Sequence, residues 1–133
     1  MRKGPDPVEH LRRLCLALPN VEERLSHGEP TWFIGGKKTF VTYANHHHDS
    51  RLAFWCAAPE GAQDVLVRAA PGRFFKPPYV GTRGWLGVYL DVPLDWHEIA
   101  SIVEDAYRTI APKRLLAQLE ATPPKTKTTR RAR

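Results

Sequence analysis

The sequence predicts an α+β protein, an antiparallel β-sheet with helices packed on one face. Three observations carry this. Apolar strand-like runs follow one another at 31–34, 39–44 and 51–56 instead of alternating with helices. Gly35-Gly36-Lys37-Lys38 between two such runs is a hairpin signal. The strongest amphipathic helical spacing occurs near both ends of the chain, outside the run of three strands.

Taken in order, Asp6 is placed to cap a first helix with Pro7 at its first position. Val8, Leu11, Leu14, Cys15 and Leu18 make one apolar face, and Pro19-Asn20 ends it. Residues 21–25 read as a turn or half-helix. Residues 31–34, 39–44 and 51–56 then form an antiparallel meander, with Trp32, Phe54 and Trp55 as core. A short helix is expected over 59–68, opening on proline and acids. A strand is expected over 85–91. Ile99, Ile102, Val103, Ala106, Tyr107 and Ile110 mark a strongly amphipathic helix, which Pro112 breaks. A last helix follows over 113–121.

Length and composition fit one domain over 5–121 with a basic, disordered tail over 122–133. Of the formal net charge of +6, five cations lie in that tail, and the remainder holds 15 cations against 14 acids. High pI is therefore a property of the tail, which weakens an argument for a globally polyanion-binding domain. No apolar run approaches the roughly 20 residues of a membrane span, and no apolar segment follows the N-terminal cations. A cytoplasmic protein with no membrane partner is expected, with monomer as the favoured state. Cys15 and Cys56 read as reduced core residues.

Phosphate-loop, dinucleotide-binding, Cys-x-x-Cys and nucleophile-elbow motifs are absent, so no catalytic set and no cofactor are expected. Gly35-Gly36-Lys37-Lys38 joins two strands, so the helix dipole of a phosphate cradle is missing. His46-His47-His48-Asp49 could offer two histidines and a carboxylate to a metal, but a solvated polar loop is the favoured reading and no metal is expected. His27 and Glu29 flank Gly28 before an aromatic strand; fixing that turn outweighs acid–base work.

The most unusual stretch is 70–90, with three prolines, four glycines, five aromatics and three cations in 21 residues. Pro77-Pro78 excludes a helix there. One ring of Phe74-Phe75 should point inward and the other outward. Arg73, Lys76 and Arg83 are candidates for phosphate contact, and Tyr79 for stacking. Lys37 and Lys38 on the hairpin join them. DNA is the favoured partner. The alternative is a small-ligand or enzyme-like pocket beneath the 73–83 loop, with His27, Glu29 and Trp85 at its rim.

The segments 18–23, 27–33, 36–40, 70–74, 84–88 and Asp105-Ala106-Tyr107-Arg108 together resemble the MmcQ/YjbR-like family over roughly 7–120. The resemblance implies a fold similar to frataxin/CyaY. It also implies the DNA-binding label given to members through a proposed double wing of loops and hairpins. It brings no established activity and no catalytic residues. The insert carrying Pro77-Pro78-Tyr79 looks like one branch of the family.

Overall fold

The computed structural model describes residues 6–45 and 51–121. Helix α1 (Pro7–Leu16) starts at Asp6, whose carboxylate accepts from the Val8 N–H, and buries Leu11 and Cys15. Four strands follow: β1 (Val21–Ser26), β2 (Glu29–Ile34), β3 (Lys38–Asn45) and β4 (Leu52–Cys56). Then come α2 (Ala62–Ala69), the two-residue β5 (Phe74–Phe75), a 3-10 turn (Gly81–Arg83), β6 (Leu86–Tyr89), α3 (Trp96–Ile110) and α4 (Lys113–Ala121). The six strands form one antiparallel sheet in the order β1-β2-β3-β4-β6-β5. The expected α+β class is the observed one.

One face of the sheet meets α1 and α3. Pairing puts Trp32, Val41, Cys56 and Leu86 in one cross-strand row, all fully or nearly fully buried. From α3, Ile99, Val103, Ala106 and Tyr107 are buried. Tyr107 packs edge-on against Phe40, and its hydroxyl donates to the Pro19 carbonyl at 2.6 Å. Both cysteines are free and buried in this core. Burial pushes both thiols up.

Several boundaries differ from expectation. Residues 21–26 are an edge strand, not a turn or half-helix. Their Glu-Glu-Arg run hides the pattern because the inward position is a carboxylate. Glu23 Oε1 accepts from Arg12 Nε at 2.7 Å and from Trp32 Nε1 at 3.0 Å. A buried indole N–H and a partly buried guanidinium thus convert an acid into a core-facing residue. The second helix begins at Ala62 rather than Pro59, after Gly61 at φ +85°. The expected strand over 85–91 is shorter, Leu86–Tyr89, the four residues that pair with β4, and β5 adds to its other edge over two of them. The 70–85 loop therefore begins as a sheet edge. Phe74 pairs with Val88 and is buried, whereas Phe75 lies opposite Gly87 on the other face, as alternation requires.

One irregularity matters for the opposite face. Trp32 pairs with Val41, but the next residue, Phe33, pairs with Thr39, leaving Phe40 as an extra residue in β3. The bulge frees Phe40 to join Tyr107 in the core. It also sets Thr39 and Thr42 on the same side, since their partners Phe33 and Thr31 are two residues apart.

Candidate functional site: a cleft on the open face of the sheet

On the face away from α1 and α3, side chains of the central strands are only partly covered. Phe75 lies over Gly87, where an added Cβ would collide with its ring. It stacks on Tyr89 at 4.6 Å, and the Arg51 guanidinium covers Tyr89 from 3.7 Å. Arg51 in turn holds Asp91 through two bonds of 2.7 Å, which keeps the Asp91 carboxyl below the usual range. This layer fills one end of the open face.

At the other end the loop 76–85 overhangs the sheet. It is ordered by its own backbone and by α2. Gly81 N–H donates to Pro77 O at 2.9 Å, and Gly84 N–H to Gly81 O at 3.0 Å, with Gly84 at φ +86° closing the turn. Gln63 Nε2 donates to the carbonyls of Gly81 and Trp85 at 2.8 and 2.5 Å. Tyr79 sits at φ +66°, a left-handed conformation that costs a residue with a side chain about 1–2 kcal/mol. It is 79% exposed.

Between loop and sheet lies a half-open cleft of about 740 Å³. Its floor is Thr31, Thr39, Thr42 and the indole of Trp55. Trp85 and Val80 form the far wall, Ile110 at the end of α3 and Ser26 also line it, and the rim carries His27, Lys38, Tyr79 and Arg83. The Arg83 guanidinium stands 5.7 Å from the Trp85 ring. Among the described residues, neither Lys38 nor Arg83 forms a salt bridge, and no carboxylate lines the wall. His27, at φ +54°, places Nδ1 3.3 Å from Ser26 Oγ at the turn between β1 and β2.

The residues expected to act together are divided. Lys38, Tyr79, Arg83, His27 and Trp85 share the cleft. Arg73 does not: it ion-pairs with Glu98 in the first turn of α3 and lies over Phe74. Lys76 is exposed but outside the cleft wall, its stem lying across Gly81. Lys37 is exposed in the hairpin turn. Glu29 is also outside the wall, its Oε2 accepting from Asn45 N–H at 3.3 Å. The 46–49 histidine run lies outside the described residues, as does the basic tail from 122 onward. Among the described residues no group of three or more His, Cys, Asp or Glu is placed to hold a metal. No helix there is long and apolar enough to cross a membrane.

The threonines of the floor escape sequence reading. Thr39 and Thr42 are three apart, so period-two alternation assigns them to opposite faces, and only the bulge at Phe40 unites them.

With this geometry in place, the YjbR family model matches residues 16–109, well over half of the chain. The chain belongs to the YjbR family. Among proteins with curated descriptions, none matches it. Among solved structures, this YjbR chain is similar to Deinococcus radiodurans protein DR2400, of the DUF419 family. The TM-score is 0.69 at 16% identity, covering 85% of this chain and 87% of that one. At such identity the likeness speaks for the fold. The YjbR match includes β1 to β6 and all but the last residue of α3, hence nearly every wall of the cleft.

Proposed function

We propose that this YjbR protein binds a small organic anion in the cleft between the open sheet face and the 76–85 loop. One observation carries the reading: two cations and an imidazole rim a concavity floored by an indole and hydroxyls, and no carboxylate among the described residues competes for them. Cationic side chains without an internal counter-charge, beside apolar rings, favour an anion that also has flat apolar surface. Charge selects the ligand, and the rings exclude water from its body. The groups that converge supply affinity and orientation, so binding is proposed rather than catalysis.

The test is calorimetric titration of the full chain with a panel of aromatic carboxylates, sulfonates and phosphates. Saturable one-site binding is expected, weakened by Arg83→Ala and Lys38→Ala and unchanged by Lys37→Ala. Absence of binding across the panel at millimolar ligand would refute the reading.

A second reading, DNA contact, is favoured by the exposed Tyr79 ring beside Arg83, with Lys37, Lys38 and Lys76 also exposed. Fluorescence anisotropy against salt separates the two. DNA affinity would fall steeply with salt. It would also persist when the five tail cations are replaced by glutamine. Binding that disappears with the tail charges would assign it to the tail.

A further inference from the structure

Two hydroxyls on the cleft floor, those of Thr31 and Thr42, have a fixed direction, and that direction constrains the ligand. Thr31 is 2% exposed, so its hydroxyl has no access to bulk water. Its Oγ1 has two neighbours, the Glu29 carbonyl at 3.0 Å and Thr42 Oγ1 at 2.8 Å. A carbonyl oxygen only accepts, so the single Thr31 proton goes to Glu29. The alternative would set two lone pairs against each other at 3.0 Å in a buried place, which costs the desolvation of both. Thr42 must then donate its own proton to Thr31. Thr42 is half-buried, lines the cleft, and has no other hydrogen-bond partner for its hydroxyl among the described residues. What it turns toward the cleft is therefore lone pairs alone.

Resting on the small-anion reading above, we infer that the ligand is a flat aromatic acid carrying an N–H or O–H donor on its ring system, with that donor directed at Thr42 Oγ1 and its anionic group at the Lys38–Arg83 rim. Both ends of the cleft thus read polarity, a cationic rim for the acid and an acceptor on the floor for the ring. Trp55 is a cross-strand neighbour of Thr42 and lines the same floor, so a ring that reaches the hydroxyl also reaches the indole. An aromatic acid whose ring presents an acceptor in the same place leaves two sets of lone pairs facing one another.

The test compares indole-3-carboxylate with benzofuran-3-carboxylate, which replaces the ring N–H by an oxygen acceptor of nearly the same shape. Titration calorimetry on the full chain should show the indole acid binding roughly five- to tenfold more tightly. Thr42→Val should abolish the preference, and Thr42→Ser, which keeps the hydroxyl, should retain it. Thr31→Val removes the acceptor that holds the Thr42 proton. It should shift the preference toward the benzofuran acid. Equal binding of the two acids to the wild type, or an unchanged preference in Thr42→Val, overturns this inference while leaving the cleft reading intact. Binding of neither acid also overturns this inference, and absence of binding across the whole panel overturns the cleft reading with it.

Discussion

Arg73 and Arg83 are ten residues apart on one connection, and each guanidinium stands over an aromatic ring, Phe74 and Trp85 respectively, yet they do different work. Residues 70–75 are fastened to the body of the protein. Arg73 is held by Glu98, Phe74 enters the core, and Phe75 closes over Gly87. Residues 76–85 are fastened by Trp85 in the core and through their backbone, by the 3-10 turn and by Gln63, and Tyr79 and Arg83 line the cleft. The contrast teaches that a segment held by its carbonyls and one core ring keeps its cation, Arg83, clear of any salt bridge among the described residues. A segment held by its side chains spends them.

The largest effect should come from Gly87→Ala in the fastened half. The new methyl group would drive the Phe75 ring off its stack with Tyr89, costing about 1–3 kcal/mol as overpacking does. Thermal unfolding should show a clear drop in Tm. An unchanged Tm would mean that Phe75 is free to leave, and that the first half is no better fastened than the second.

Next is the arginine pair itself. Arg83→Ala should weaken aromatic-anion binding roughly tenfold, as loss of a charged hydrogen-bond donor does, with little change in Tm. Arg73→Ala should leave binding alone and lower stability by at most about 1 kcal/mol, since the ion pair with Glu98 is partly exposed. Equal binding losses in both variants would erase the division drawn above.

A smaller effect is expected from acid. Arg51 holds the Asp91 carboxyl below its ordinary value of 3.8, chiefly by hydrogen bonding. The folded carboxylate therefore adds stability that is complete above that ordinary value. It is lost as pH falls through the lowered folded value. Unfolding midpoints from pH 5 to pH 2 should show this loss in the wild type and a shallower slope in Asp91→Asn. Anion binding at the cleft, at the opposite end of the sheet face, should not follow the Asp91 titration.

The smallest change is expected from Tyr79→Gly. Relief of left-handed strain, about 1–2 kcal/mol, is offset by the roughly 0.5–1 kcal/mol entropic cost of glycine. Tm should move by little, whereas binding of a large aromatic acid should weaken through loss of the rim ring. A marked fall in Tm would show that the Tyr79 side chain, and not only the loop backbone, orders this half.

Local chemistry made much of the fold legible. The Asp6-Pro7 start, the Gly35-Gly36 hairpin, the period of α3 and the termination at Pro112 are each decided by residues close in sequence. So were the buried tryptophans of β2 and β4 and the opposed directions of Phe74 and Phe75. Strand β1 was not legible. Glu23 belongs to the core side only because Arg12 and the Trp32 indole come to meet it from α1 and β2.

The cleft divides in the same way. Composition alone singled out Arg83, Tyr79 and Trp85, because cations and rings between prolines and glycines have few structural partners nearby. The same composition singled out Arg73 and Lys76, and nothing local distinguishes them from Arg83. Glu98, 25 residues away from Arg73, made that distinction. The threonine floor needed the extra residue in β3, a register choice made between strands. The sequence by itself determined which segments would be helix, hairpin and rigid loop, since those depend on torsional preference and short-range hydrogen bonds. Tertiary structure decided which cations keep their charge available. That depends on whether a carboxylate far along the chain arrives beside them.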